Sequence, residues 1–230
     1  MSDYIIPFLL AVIPTVVAIT LHEAAHGYAA WALGDDTARR LGRLSLNPLA
    51  HVDRFGTILL PGFLLVTQLL TIGRVAFMFG WAKPVPVDAR RFHDPRRGMM
   101  VVAAAGPAMN FFLAWIGALA LYLVPLLAGD PRSTGMAVDF LFYFMLANIV
   151  LGTFNLLPIP PLDGGYILRQ LVGMSEETFL SIARWSFLFF FVALYLEPVR
   201  VALNLVFYLS YRPFIYLCAW LNPGVAALLF

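Results

Sequence analysis

Long apolar runs alternate with short polar stretches along this chain, and the runs have the length and composition of membrane helices. The first run covers 4–33, and later runs cover 98–128, 136–157, about 179–196 and about 199–221. A helix needs about 20 apolar residues to cross the hydrocarbon core of a bilayer. The pattern therefore predicts an all-α polytopic membrane protein.

One further apolar run, at 55–79, departs from this simple alternation. It contains Pro61, Gly62, Gly73 and Arg74, and it leads into the sequence GWAKPVPV at 80–87, whose prolines exclude a continuous helix. The flanking stretches 35–54 and 74–97 are both basic, and Lys and Arg collect in cytoplasmic loops. We therefore predict that 55–87 is a re-entrant, partly β-like segment that returns to the cytoplasmic side. A full crossing at 55–79 is the alternative.

Composition agrees with a membrane protein and narrows the functional classes. The 230 residues are 61% hydrophobic and 12% charged, whereas an ordinary soluble domain is about half apolar and about a quarter charged. A net charge of +2 gives no indication of a nucleic-acid partner, and the single cysteine, Cys218, excludes an internal disulfide. No Lys or Arg precedes the first run, so we expect a retained membrane helix, with its start outside, rather than a signal peptide.

The sequence HEAAH lies inside the first apolar run and carries the clearest chemistry. His22 and His26 are four residues apart and share one helix face, so that both imidazoles can bind one metal ion. Glu23 lies beside them, where it can act as general base toward water at the metal, which is the arrangement of HExxH zinc peptidases. Ionisable groups in a membrane span are costly and usually functional.

A catalytic zinc needs a third protein ligand, which must come from outside this motif. The extended HExxHxxGxxH pattern fails because position 32 is alanine, and no Glu occurs between Glu23 and Glu176. Asp163 is the best candidate, since the prolines of FNLLPIPPLDGG at 154–165 break a helix there; a helix N-cap is its alternative role. The other candidates are Asp35, Asp36, His51, Asp53, Asp88, His93, Asp94, Asp130, Asp139, Glu176, Glu177 and Glu197.

The two motifs, HEAAH and NLLPIPPLDGG, occur in the order seen in the site-2 protease family of intramembrane zinc metalloproteases, which this chain resembles. Three further stretches strengthen the resemblance to its small bacterial members: LGRLSLNPLAHVDRFGT at 41–57, GWAKPVPV, and AAGPAMN at 104–110. It covers about 18–170 and implies a site-2 protease-like helical core. Many family members carry an appended peptide-binding or nucleotide-sensing domain, for which this chain has no room.

The resemblance implies a role for each matching residue. His22, His26 and Asp163 would hold one Zn²⁺ per chain, Glu23 would be the general base, and Asn155 would bind substrate backbone or stabilise the oxyanion. For Asn155, a hydrogen bond that closes the broken helix is the alternative. GWAKPVPV would offer an edge to an unwound substrate. Asn110 is expected to pack a core helix by hydrogen bonds, His93 to be a surface histidine, and His51 a surface histidine with at most a supporting or gating role.

These observations predict an endopeptidase that hydrolyses peptide bonds within or near transmembrane segments of membrane proteins. We expect one membrane-embedded peptidase domain over 1–230, with a catalytic core at about 4–172 and extra C-terminal helices at about 178–221. The expected location is the bacterial cytoplasmic membrane, with the active site towards the cytoplasm. Partners would be the lipid bilayer, transmembrane substrates and a separate regulatory protein. A non-proteolytic zinc-binding adaptor or a transporter is the alternative, although Glu23 favours an enzyme.

Overall fold

A computed structural model describes residues 2–75, 80–128 and 135–221. Most of these residues lie in helices, as the apolar runs predict. The α-helices in chain order are α1 (Ser2–Ala32), α2 (Thr37–Arg40), α3 (Leu60–Ile72), α4 (Pro95–Ala128), α5 (Gly135–Asn155), α6 (Asp163–Val172), α7 (Glu176–Ala193) and α8 (Glu197–Leu221). Short 3₁₀ turns lie at Pro48–His51 and Ala89–Arg91, and one π-helical turn at Arg54–Leu59 precedes α3.

Helices α1, α4 and α5 pack against one another and form the centre of the molecule. Small residues line their contacts: Ala18 and Ala30 on α1 and Ala114 and Ala118 on α4 are fully buried. Small side chains let helix backbones approach closely, which supplies van der Waals contact where lipid removes the hydrophobic driving force. These three helices form the frame that holds the HEAAH motif of α1.

Four helices within the described residues are long and apolar enough to cross a membrane. They are Phe8–Ala32, Arg54–Ile72, Pro95–Leu123 and Gly135–Asn155. The molecule is therefore a multi-pass membrane protein, and its all-α class is as predicted. Of the C-terminal helices, α6 packs on α4, while α8 contacts α4 and α5 through the buried Phe214.

After the second of these candidate spans, the chain comes back to the residues at the start of that span. The Trp81 N–H donates to the Gly56 carbonyl at 3.2 Å, and the Lys83 N–H donates to the His51 carbonyl at 2.9 Å. The helical stretch Arg54–Ile72, which includes α3, lies between these contacts. The two basic stretches thus meet on one side of the molecule, as a re-entrant segment requires.

Residues 80–88, here called the proline segment, are neither helical nor part of a β-ladder. None of the residues that the structure describes forms a β-strand. The proline segment is therefore β-like only in being non-helical and in ending at Asp88, whose backbone is extended. Within the described residues no strand pairs with it. Residues 76–79 of the re-entrant stretch lie outside the described residues.

Candidate metal centre

Three side chains from two helices converge in the buried space between α1 and α6. His22 Nε2 and His26 Nε2 are 3.0 Å apart, as expected for residues one turn apart on α1. The Asp163 carboxylate, in the first turn of α6, lies 3.2 Å from His22 Nε2 and 3.4 Å from His26 Nε2. Both imidazoles are buried, with exposed fractions of 5% and 9%.

The spacing of these atoms fits a tetrahedral metal ion. Ligand atoms about 2.0–2.1 Å from a zinc ion at tetrahedral angles lie about 3.3 Å from each other, and the observed separations are 3.0–3.4 Å. Two imidazole nitrogens and one carboxylate leave the fourth position open, which is the pattern of catalytic rather than structural zinc sites. Asp163 Oδ2 is buried and has no hydrogen-bond donor within the described part of the chain.

Hydrogen bonds behind the imidazoles decide which nitrogens face the centre. His22 Nδ1 lies 2.6 Å from Asn110 Oδ1, and His26 Nδ1 lies 2.7 Å from the Val102 carbonyl oxygen. Because both partners are acceptors, each Nδ1 donates a proton and each Nε2 faces the centre. In neutral imidazoles these Nε2 atoms present lone pairs, and together with the Asp163 carboxylate they form a donor set for a cation.

Asn110 is itself held by a chain of side-chain hydrogen bonds through the helix trio. Its Nδ2 donates to Asn148 Oδ1 at 2.9 Å and to the Ala18 carbonyl at 3.3 Å, which fixes Oδ1 toward His22. Asn148 in turn donates to the Phe144 carbonyl at 2.8 Å. Asn110 thus packs α4 by hydrogen bonds, as expected from the sequence, and in addition orients a histidine of the centre.

Replacing Asn110 by Ala should lower zinc affinity about 10- to 100-fold, the usual effect of removing a partner that orients a metal-bound histidine. Zinc competition against a chelator of known affinity measures this change. Asn204→Ala removes an exposed asparagine of α8 and serves as the matched control, with wild-type affinity expected. Equal affinity in Asn110→Ala and Asn204→Ala would show that the contact to His22 does not support metal binding.

Glycines at three positions allow the helices to come this close. A Cβ atom at Gly106 of α4 would overlap the His22 and His26 rings, so the AAGPAMN sequence needs glycine opposite the motif. A Cβ atom at Gly164 or Gly165 would overlap backbone atoms of the proline-rich loop before α6. These contacts place the start of α6, and with it Asp163, against the two histidines. Asp163 makes no capping hydrogen bond, and Leu162 occupies the cap position.

Glu23 and Asn155 lie beside the three converging side chains and line the same cavity of about 1350 Å³. Glu23 Oε2 accepts a hydrogen bond from the Val85 N–H at 3.1 Å. Asn155 Nδ2 donates to the Leu151 carbonyl at 3.0 Å, which is the helix-closing bond expected as its alternative role. Since an amide nitrogen carries two protons, one donor of Asn155 is left for a ligand in the cavity.

Charged side chains line part of the same cavity: Asp88, Arg90, Arg96, Arg169 and Glu176. The Arg90 guanidinium donates to Asp88 at 2.9 Å and holds the pKa of that carboxyl below its ordinary value. This carboxylate therefore stays ionised, and the pairing balances its charge.

The other candidate ligands lie away from the converging side chains. Asp35 is fully buried but accepts hydrogen bonds from Thr37 and the Asp88 N–H, and Asp53 caps the π-helical turn. Among the described residues the metal-type cluster contains His22, His26 and Asp163, and it does not include Asp36, Asp88, His93, Asp94, Asp139, Glu176, Glu177 or Glu197. Asp130 lies outside the described residues.

The expectation that His51 is a surface histidine is wrong. It is 3% exposed, and its Nε2 lies 2.8 Å from the Ser45 carbonyl oxygen. The Lys83 N–H of the proline segment donates to its carbonyl, and the 3₁₀ turn that carries it packs against α1. A basic sequence context indicated the surface, but these contacts bury the residue. His93 is exposed, as expected.

Comparison with known proteins agrees with this geometry. The chain is 40% identical over 198 residues to YwhC of Bacillus subtilis (strain 168), a protein named as a candidate zinc metalloprotease; the match covers 85% of this chain and 83% of that one. A model of peptidase family M50 matches residues 124–196, which include the Asn155–Asp163 stretch. The chain belongs to peptidase family M50. The predicted site-2 protease resemblance and the zinc metalloendopeptidase class are thereby confirmed.

More distant relatives give the same assignment. Rip2 of Mycolicibacterium smegmatis, also named as a candidate zinc metalloprotease, is 30% identical over 209 residues, with 90% of this chain and 73% of that protein covered. Rip2 of Mycobacterium tuberculosis (strain ATCC 25618 / H37Rv) is 29% identical over 194 residues, which are 83% of this chain and 68% of the relative. No solved structure gives a significant match.

Proposed function

We propose that this member of family M50 is an intramembrane endopeptidase that cuts peptide bonds within or near transmembrane segments of other membrane proteins. His22, His26 and Asp163 hold one zinc ion per chain. The observation that carries the proposal is the convergence of two imidazole nitrogens and a carboxylate, 3.0–3.4 Å apart, inside a bundle of helices that are long and apolar enough to cross a membrane. Glu23 beside them supplies the base that a purely structural metal site does not need.

Two residues of the cavity perform the proton and charge chemistry. Zinc, when bound, acts as a Lewis acid and lowers the pKa of water towards about 7. Glu23 takes the proton from the attacking water and returns it to the leaving amine, so the same side chain acts first as general base and then as general acid. The free N–H of Asn155 is placed to bind the substrate backbone or the developing oxyanion.

Cleavage beside Glu23 requires an extended rather than a helical substrate. A helix hides its carbonyl groups in hydrogen bonds, so a transmembrane substrate must unwind before its scissile bond reaches Glu23. The proline segment lines the cavity over Trp81, Ala82, Pro84, Val85 and Val87, and offers an edge along which an unwound strand can lie. Substrates with helix-destabilising residues near the cut site are therefore expected.

The setting of this activity follows from charge and from the extent of the catalytic core. We place the protein in the bacterial cytoplasmic membrane with the cavity mouth towards the cytoplasm, because the basic stretches that meet there mark cytoplasmic loops. The chain acts as one peptidase domain, in which 4–172 carries the site and helices α7 and α8 are additions. Substrate choice or regulation then comes from the membrane domain or from a separate protein.

The proposal predicts metal-dependent cleavage of a membrane-inserted substrate. The test uses purified protein in phosphatidylethanolamine and phosphatidylglycerol liposomes with a single-span reporter, a designed protein whose transmembrane helix contains a central Gly-Pro pair. Chelation should abolish cleavage, zinc should restore it, and a reporter with leucines at the pair should be cut more slowly. Cleavage that continues without metal would contradict the proposal.

A further inference from the structure

The proline segment is attached to the rest of the molecule by its backbone N–H groups. Four of them donate to groups elsewhere in the chain: Trp81 to the Gly56 carbonyl, Lys83 to the His51 carbonyl, Val85 to the Glu23 carboxylate and Asp88 to the Asp35 carboxylate. The last two are side-chain acceptors, and Asp88 N–H lies 2.7 Å from the fully buried Asp35. The segment is therefore fixed in position before and after Val85.

Val85 has a special place in this arrangement because it lies between Pro84 and Pro86. Proline has no N–H, so the Val85 N–H is the one backbone donor that the chain offers from residue 84 to residue 86. It donates to Glu23 Oε2 at 3.1 Å. Its side chain lies next to Gly27, one residue beyond the HEAAH motif, so backbone and side chain both contact this turn of α1.

The hydrogen bond from Val85 engages one of the two carboxylate oxygens of Glu23. Oε2 is occupied by Val85, and within the described residues Oε1 of Glu23 has no hydrogen-bond partner. Hydrogen bonds to ionised acceptors are stronger than those between neutral groups, and they hold a flexible Glu side chain in one rotamer. One oxygen is thus held by the proline segment, and the other is free to accept a proton.

We propose that Val85 is a positioning residue, whose backbone N–H holds the Glu23 carboxylate for proton transfer and ties it to the segment that forms the cavity wall. The inference rests on the proposed function, because it assigns Glu23 as the base. It follows that any movement of the proline segment also moves the base. A substrate strand bound along the segment would therefore fix the proline segment and the Glu23 carboxylate in position at the same time.

The first test compares Val85→Pro with Val85→Ala in the liposome assay. Both lose the valine side chain, but only Val85→Pro loses the N–H. We expect kcat in Val85→Pro to be about 10- to 100-fold below that of Val85→Ala, the usual effect of a hydrogen bond to a charged group. KM and zinc content should match between them. Equal kcat values, or zinc lost from Val85→Pro alone, would overturn the assignment.

The second test does not depend on activity and so separates this inference from the proposed function. Residue-resolved hydrogen exchange of the Val85 amide is measured in zinc-loaded wild type and in Glu23→Ala. Exchange at Val85 should become at least about tenfold faster in the variant, while the Asp88 amide, held by Asp35, stays unchanged as internal control. Equal exchange at Val85 would overturn the inference. A wild type that exchanges as expected but does not cleave would defeat only the proposed function.

Discussion

Replacing Glu23 by Gln is expected to slow cleavage of the single-span reporter about 10²- to 10⁴-fold while leaving zinc bound. Gln has the size of Glu, so the packing of α1 is preserved, but its amide cannot accept a proton from water. General base catalysis contributes about 10²- to 10⁴-fold, and a loss in that range is expected. Parallel measurement of cleavage rate and of zinc by mass spectrometry separates loss of the base from loss of the metal.

Glu177→Gln gives the matched control for this change. Glu177 is exposed at the start of α7 and is not among the residues that line the cavity, so wild-type cleavage is expected. A Glu23→Gln protein that cleaves at the wild-type rate would remove Glu23 from the mechanism. A variant that loses zinc as well as activity would show that Glu23 supports the metal rather than the proton transfer.

Replacing Asp163 by Ala should remove zinc and activity together. The carboxylate would supply one of the three proposed ligand groups, and two histidines alone would make an incomplete catalytic zinc site. Zinc affinity should fall by more than the roughly 100-fold that marks the upper end for partners outside the ligand set. Chelator competition measures the affinity, and the liposome assay measures the activity.

Asp139→Ala is the control for this second variant, because Asp139 is an exposed aspartate of α5. It should keep wild-type zinc content and cleavage. The contrast between Asp139 and Asp163 tests whether burial against the two imidazoles, rather than a carboxylate in a membrane helix as such, gives the effect. If Asp163→Ala kept one zinc per chain, the third ligand would have to be sought elsewhere.

Much of the centre could be predicted from sequence because its parts depend on local rules. His22 and His26 meet because residues four apart share a helix face, and Asp163 stands where prolines stop one helix and two glycines admit the next. The apolar runs likewise predicted α1, α4 and α5 to within a few residues, since bilayer thickness sets their length.

The contacts that complete the centre could not be predicted, because they join parts of the chain by packing alone. Asn110 is 88 residues from His22, and no spacing rule connects them. The partner of His26 is the Val102 carbonyl, a backbone group that no motif marks. The bond from the Val85 N–H to Glu23 likewise joins distant parts of the chain. The sequence marks Val85 only by its two flanking prolines, which leave it as the one backbone donor from residue 84 to residue 86.

The burial of His51 shows that the charge of a stretch does not set the exposure of each of its side chains. The charges of 35–54 and 74–97 predicted that both stretches lie on one side of the membrane, and the bond from the Lys83 N–H to the His51 carbonyl joins them. They did not predict that the turn carrying His51 would also pack against α1. The sequence indicates the preference of each stretch for water or lipid, whereas the burial of a side chain depends on which other parts of the chain pack against it.

The position of the cut in a membrane-inserted substrate tests the central claim most directly. Mass spectrometry of the fragments released from the single-span reporter by zinc-loaded wild-type protein gives this position, with Glu23→Gln processed in parallel. We predict one new pair of termini within or at the edge of the transmembrane segment, present with wild type and absent with Glu23→Gln. Fragments cut only in the soluble tails, or the same fragments with both proteins, would contradict the account.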